Sequence, residues 1–416
     1  MSRDHCRDLL VGLDVGSAAV KVVVAERGAA GEPAVIGIGA APSAGIRRGL
    51  VVNLDEAAAS ITQALAEAEV TAGVHISTVQ VAFAGAHIRS VNSRGVVAVS
   101  GALRRITRED TYRAIAAARP LALPEGREVL EAIPQDFAVD EQDGVINPVG
   151  MVGARLEVNL HVITGSPASM LNLLECVSRC GVVVTDTMVG HVAAADAVLT
   201  SDEKALGAAV VDIGAGTTSV AIFDRGALCH TAVLSAGGDQ LTNDLAVGLR
   251  IPLAEAERLK RRYGRTFALS IDDGEVLQVP GITGMLPREV PRKLVTEILA
   301  NRTHALIEAV ADELRTGGCA ERLTAGVVVT GGGASVRGLA DTAEAILQCP
   351  VRRASPSMSG SVADLVNTPS FTTAAGLVIR AARQPHEIAS PEEPAAATRS
   401  LAGLAGRLRD LLRSFH

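Results

Sequence analysis

A chain of 416 residues, 48% hydrophobic and 20% charged, is long enough for two or three domains and too apolar to be disordered. A net charge of −7, aromatics at 2% and no Trp exclude a general nucleic-acid binder, which needs a basic face and rings on which bases stack. Six scattered cysteines (Cys6, Cys176, Cys180, Cys229, Cys319, Cys349) form no disulfide framework or zinc spacing and read as buried thiols. The charged N-terminus lacks the layout of a signal peptide, and no uncharged apolar run reaches the ~18 residues of a spanning helix, so a cytoplasmic protein is expected.

Strand patterns cover Leu9 to Asp14, Val20 to Ala25 and Ala34 to Ile38. The first breaks into Asp14-Val15-Gly16-Ser17, a buried strand turning tightly at glycine, where backbone N–H groups and the Ser17 hydroxyl can face phosphate oxygens. Lys21 on the next strand reads by itself as a surface lysine at a strand end. Gly45-Ile46-Arg47-Arg48-Gly49-Leu50-Val51-Val52-Asn53 follows, then an Ala-rich helix over Asp55 to Glu69 with acid in its first turn, and a strand at Val79 to Phe83.

From Ala84 to about His161 the pattern changes to short β pieces such as Gly95 to Val99, a polar helix near Arg108 to Ala118, and segments interrupted by proline. These include Val129-Leu130-Glu131-Ala132-Ile133-Pro134-Gln135-Asp136-Phe137-Ala138-Val139-Asp140 and Ile146-Asn147-Pro148-Val149-Gly150-Met151. An inserted domain is expected here, with strand and helix resuming at Val162 to Thr164 and Pro167 to Cys180.

The strand-to-glycine pattern returns at Ala208-Ala209-Val210-Val211-Asp212-Ile213-Gly214-Ala215-Gly216-Thr217-Thr218, again followed by hairpin strands at Ala221 to Phe223 and Leu228 to Leu234. Two such turns imply duplicated halves closing on one phosphate tail. Asp14 and Asp212 would then hold Mg²⁺ through its retained waters, with the hydroxyls of Ser17, Thr217 and Thr218 toward the phosphates. Glu257 and Lys260 share one face of a helix over Leu253 to Gly264, the spacing of a solvated pair. Val327-Val328-Val329-Thr330-Gly331-Gly332-Gly333 is a third element, its glycines suited to lie against adenine or ribose. None of the three fits Gly-x-x-x-x-Gly-Lys-Ser/Thr.

Residues 383–398 are rich in proline and acid and lack periodicity, as in a flexible linker. Beyond them Leu401, Leu404, Leu408, Leu411, Leu412 and Phe415 recur by threes and fours in one stripe, with Arg399, Arg407, Arg409 and Arg413 against a single acid, Asp410. Such a stripe faces either a core or a lipid surface, and detachment by a linker favours an interfacial anchor on anionic headgroups through these apolar residues with Arg409 and Arg413.

The three strand-to-glycine elements in this order resemble the actin, Hsp70 and sugar-kinase ATPase superfold. The Gly45 to Asn53 segment and the Ile-Pro-Gln and Asn-Pro-x-Gly pieces of the insert resemble the FtsA family of bacterial cell-division proteins over essentially the whole chain. The resemblance implies an α/β, actin-like fold of duplicated, ribonuclease H-like halves. Residues 1–83 and 162–205 would form subdomain 1A, 84–161 the inserted 1C, and 206–382 domain II with 2B at about 240–316, followed by the linker and the amphipathic helix at 399–416. It also implies ATP and Mg²⁺ as ligands, held by Asp14, Gly16, Ser17, Lys21, Asp212, Gly214, Gly216, Thr217, Thr218, Gly237, Gly238, Glu257, Lys260 and Gly331 to Gly333.

Assembly into filaments, attachment to the membrane at the septum, the C-terminal peptide of FtsZ as partner and later division proteins on 1C are further implications. Arg288, Arg292, Lys293 and Arg302 stand either as contacts for that peptide or as a solvated basic helix face. Where relatives in the superfold carry a polar residue that positions water, Met188 to Ala195 offers only His191, so slow or negligible hydrolysis is expected. A pilus-assembly relative of the same fold and, less well, an actin-fold small-molecule kinase are the alternatives.

Overall fold

The computed structural model describes residues 8–383 apart from 29–30, 102, 120–122, 267–274, 282–286 and 319. The sequence-expected linker and amphipathic helix, with Leu401, Leu404, Leu408, Arg409, Leu411, Leu412, Arg413 and Phe415, lie outside the described residues.

Strands β1 (Leu9–Val15), β2 (Ala19–Arg27) and β3 (Pro33–Pro42) form an antiparallel meander, and β4 (Thr78–Phe83) joins β1 in parallel on the other side. The run of apolar residues in β1 follows from its place inside the sheet, covered on both faces. Helix α1 (Leu54–Ala72) packs beneath this sheet; it starts where Asn53 accepts hydrogen bonds from the Asp55 and Glu56 amides (3.1 and 3.3 Å) and ends at left-handed Gly73.

The insert is a second sheet, built from β5 (Arg89–Ala98), β6 (Glu128–Val139), β7 (Gln142–Val145) and β8 (Arg155–Gly165), with α2 (Arg108–Ala118) on one face. Strand β6, which the prolines had hidden from sequence reading, runs for 12 residues. Pro134 is tolerated because the pairing with β8 shifts register between Asn159 and Leu160, skipping Gln135, and because β7 pairs only farther along. The bulge releases Gln135 from the ladder, and its Nε2 donates to the Leu228 carbonyl of the second half (2.9 Å). Strand β8 runs unbroken through residue 161, where the border of the insert was expected.

The chain returns through α3 (Pro167–Arg179), β9 (Val183–Val189), which extends the first sheet beside β4, and α4 (Gly190–Val198). A short helix, α5 (Ser201–Leu206), leads into the second half. There β10 (Ala208–Ile213), β11 (Thr218–Asp224) and β12 (Ala227–Leu234) repeat the antiparallel meander. Strands β13 (Gly326–Thr330) and β14 (Val351–Arg353) then add in parallel, as β4 and β9 do in the first half. The two sheets thus share one plan, which is the duplication read from the paired glycine turns.

Helices α6 (Gly238–Leu249), α7 (Leu253–Tyr263) and α8 (Arg292–Thr316) enclose a separate apolar cluster in the second half. The last helix among the described residues, α9 (Thr372–Arg383), crosses back to the first half, where Ala374, Ala375 and Val378 pack with Leu10, Val23 and Val35. Among the described residues no helix is long and apolar enough to cross a membrane.

Candidate functional site

The two meanders present their first strand ends to a common cleft of about 1130 Å³. Their turns are built alike: the Gly16 amide donates to the Ala19 carbonyl (3.2 Å), and the Gly214 amide donates to the Thr217 carbonyl (2.9 Å). Asp14 and Asp212, next to last on β1 and β10, line the cleft. Across the β1–β2 ladder Asp14 pairs with Lys21, whose Nζ lies 3.8 Å from Asp14 Oδ2.

Burial raises the pKa of Asp14 against the attraction of Lys21. Burial, and then the charge of Asp14, push Asp212 up to about 6. The carboxylates therefore sense each other, and a divalent cation between them would relieve both burial and repulsion. Among the described residues no cluster of three or more His, Cys, Asp and Glu side chains forms a metal cage. Two carboxylates with phosphate oxygens and water suit Mg²⁺, which keeps several waters and seldom uses an all-protein site. The residues present fit a metal-bound polyphosphate.

Gly216 shows how close the halves come. A Cβ there would lie 2.8 Å from Ser17 Oγ and 2.9 Å from the backbone N and Cα of Arg48, so only glycine lets the second turn abut the first. Ser17 Oγ in turn accepts a hydrogen bond from the Gly49 amide (3.0 Å).

Gly16, Ser17, Lys21, Gly214, Gly216, Thr217, Gly238, Glu257, Lys260, Gly331, Gly332 and Gly333 all line the same cleft, as does His191. Two expected residues stand apart. The Thr218 hydroxyl donates to the Ala236 carbonyl (2.8 Å), because strand alternation turns it inward while Thr217 faces the cleft. Gly237 lies behind the second turn, where a Cβ would meet the Ala215 carbonyl at 2.6 Å. The Gly238 and Asp239 amides donate to the Gly214 and Ala215 carbonyls (both 2.9 Å), so the start of α6 braces the turn.

Glu257 and Lys260 are a built pair. Lys260 Nζ reaches Glu257 Oε2 (2.7 Å), Thr242 Oγ1 (2.8 Å) and the Gly238 carbonyl (2.9 Å), and Thr242 also donates to Glu257 (2.5 Å). Burial works to raise the pKa of Glu257, but hydrogen bonds from Lys260, Thr242 and Arg261 carry it down to about 2. The Glu257 carboxylate is ionised, and the network joins α7 to the start of α6.

His191 is 2% exposed, and its Nε2 has no hydrogen-bond partner among the described residues. Burial, then the neighbouring His161 and His230, hold its pKa at about 3, so the ring is neutral. Thr373 on α9 went unnoticed in the sequence, as did Arg47 and Arg48; all three line the cleft. Thr373 sits in a run of small residues with no phosphate-loop pattern to mark it.

The basic residues of the second half lie elsewhere. Arg302 Nε donates to Asp244 Oδ2 (2.6 Å), Arg292 Nη1 to Glu275 (2.6 Å), and Arg288 to the Leu249 carbonyl. Lys293 is exposed on the first turn of α8.

Comparisons with known proteins agree with this geometry. A family model described as "Cell division protein FtsA" matches residues 209–376, and one described as "SHS2 domain inserted in FTSA" matches residues 85–164. The chain is similar to the cell division protein FtsA of Pseudomonas aeruginosa, with 41% identity over 89% of this chain and 88% of the relative. It is also similar to those of Neisseria meningitidis (38%, covering 95% and 96%) and Escherichia coli K12 (34%, covering 98% of each). Among solved structures, the PilM–PilN type IV pilus biogenesis complex superposes with a TM-score of 0.64 at 19% identity, covering 90% of this chain and 98% of that one. MreB5 of Spiroplasma citri bound to ADP superposes at 0.53 with 15% identity, covering 89% and 94%. At these identities the structural likeness establishes the actin-like fold.

Proposed function

The chain belongs to the FtsA family of cell division proteins, and from that premise we propose that it binds Mg-ATP in the cleft between its halves, assembles into actin-like filaments, and holds FtsZ at the cytoplasmic face of the membrane at the septum. The observation that carries this reading is the facing of two matched Asp-turns, Asp14 to Ser17 and Asp212 to Thr217, across one cleft that also holds the Gly331 to Gly333 turn. The nucleotide in the similarly folded MreB5 supports it.

In this role Asp14 and Asp212 hold the cation, which neutralises phosphate charge. Ser17, Thr217 and Lys21 orient the phosphates, and Glu257, Lys260 and the glycines of the third turn border the ribose and base. His191, the one polar side chain in Met188 to Ala195, is assigned to positioning water, and a single neutral, buried imidazole suits slow turnover. Nucleotide then serves chiefly as an assembly switch.

Attachment to anionic lipid is assigned to residues 399–416, by their apolar stripe and arginines. Reversible single anchors gain strength when filaments multiply them. The C-terminal peptide of FtsZ is assigned to the surface of Arg288, Arg292, Lys293 and Arg302, none of which is free within the chain, so that their present contacts would have to be shared or exchanged. The insert is assigned to later division proteins.

Co-sedimentation with anionic vesicles tests the reading, with and without Mg-ATP, for the full chain and for one ending at Thr398. Pelleting that needs the last 18 residues and increases with Mg-ATP is expected. If both chains remain in the supernatant, the tether is wrong; if pelleting ignores nucleotide, the switch is wrong.

A further inference from the structure

The segment from Gly45 to Asn53 places a two-residue hairpin on the wall of the cleft: Ile46 pairs with Val51 and Arg47 with Leu50, leaving Arg48 and Gly49 as the turn. Both turn residues are left-handed, Arg48 at φ 50° and Gly49 at φ 73°, as this tight hairpin requires. Asn in the first position would fit such a turn with less steric conflict than Arg. That alone marks no ligand, because Arg225 and Gly226 close the β11–β12 hairpin in the same conformation.

Position separates the two turns. Arg48 and Gly49 are wedged between both phosphate turns: the Gly49 amide donates to Ser17 Oγ (3.0 Å), and a Cβ on Gly216 would sit 2.9 Å from the Arg48 backbone. The charges around the cleft single out the same place. Lys21 lies beside Asp14, while Lys260 and Arg261 are bound to Glu257. Arg47, Arg48 and Arg337 also line the cleft and make no ion pair to the described residues. Arg337 follows the third glycine turn rather than either Asp-turn. Arg47 and Arg48 therefore bring two guanidiniums, with no ion pair to the described residues, to the hairpin wedged between the phosphate turns.

We propose that Arg48 is a terminal-phosphate sensor, a specificity-determining residue that distinguishes a nucleoside triphosphate from a diphosphate. The proposal rests on the nucleotide reading above. A guanidinium matches the fork of phosphate oxygens and, with its backbone fixed between both turns, meets a third phosphate without reorganising the cleft. A diphosphate leaves it in solvent. Because the same turn touches Ser17 and packs against Gly216, occupancy by a third phosphate is felt by both halves.

The test is binding of Mg-ADP and a non-hydrolysable Mg-ATP analogue to the full chain, by titration calorimetry, with Arg48→Asn, Arg47→Gln and Arg225→Asn as variants. Arg48→Asn suits the turn, so its melting temperature should equal or exceed that of the wild type, as should that of Arg225→Asn. The wild type is expected to prefer the triphosphate, and Arg48→Asn to lose about tenfold or more of triphosphate affinity with diphosphate affinity unchanged. Arg225→Asn should keep both. Equal affinity of the wild type for the two nucleotides, an unchanged preference in Arg48→Asn, equal weakening of both ligands, or a loss carried by Arg47→Gln instead would each overturn the proposal while leaving the nucleotide reading in place. Failure of the wild type to bind either nucleotide would overturn both.

Discussion

Thr373 donates its hydroxyl hydrogen to Asp212 Oδ2 across 3.2 Å, so the first turn of α9 is tied to the carboxylate of the second Asp-turn. The bond joins a helix packed on the first half to the strand end of the second. Thr373→Val keeps the shape and removes the donor. Mg-ADP affinity should fall about two- to tenfold through loss of carboxylate orientation, with a melting temperature within a few degrees of the wild type. Calorimetry and a thermal scan on one preparation check both.

Asp212 is held in a costly state when no cation is bound, because burial and Asp14 both oppose its charge. Asp212→Asn should therefore raise the stability of the ligand-free chain, on the order of 1–2 kcal/mol, while abolishing the dependence of nucleotide binding on Mg²⁺. Urea unfolding and nucleotide titration with Mg²⁺ or EDTA report the two effects. A ligand-free variant less stable than the wild type would show that Asp212 is mainly a structural acceptor.

Helices α9 and α4 touch backbone to backbone. A Cβ on Gly376 would collide with the Ala193 carbonyl, and carbonyls cannot rotate away as side chains can. Gly376→Ala should cost about 1–3 kcal/mol of stability, read from the urea midpoint. A neutral result would mean that the helices separate without penalty.

Acid should destabilise the chain through buried histidines. His161 is 1% exposed; Nδ1 meets Asn92 Oδ1 at 2.6 Å and Nε2 meets Thr231 Oγ1 at 3.1 Å. Burial, then His230, lower its pKa to about 4, and His191 is lowered to about 3. Both folded values lie below the ordinary 6.5, so the unfolded chain binds more protons between them. The stability these rings contribute is full above pH 6.5 and is lost as pH falls toward 4 and then 3. Each contributes a slope of up to about 1.4 kcal/mol per pH unit. His161→Gln should flatten the fall of urea stability between pH 6 and 4; an unchanged slope would put the protons elsewhere.

The elements with one clear period were legible in the sequence. The strands leading to Asp14 and Asp212 and the helix over Leu54–Ala72 lie where apolar runs and acidic first turns placed them. The 12-residue strand through Pro134 was hidden, because proline argues against a strand unless a bulge and an unpaired flank are known in advance. The site showed the same divide. Glycine turns announce themselves locally, whereas choosing Thr217 over Thr218 needs the phase of a strand, and finding Thr373 or Arg48 needs to know which distant segment closes over the turns. Likewise the Ile-Pro-Gln sequence was recognisable as a pattern, but its physical sense, a released Gln135 fastened to Leu228, exists only in three dimensions.

Helix α9 also decides how the protein would carry load. Arg27 donates to the carbonyls of Ala381 and Ala382, and Arg380 and Arg383 both lie on Asp196 of α4 (3.2 and 3.7 Å). A pull applied beyond residue 383 therefore enters at these clasps and passes along α9 in shear, spread over β1, β2 and α4 at once. The fold would resist such tension as an anchor bolt does, by its whole embedded length, and the far end of that bolt is Thr373 on Asp212.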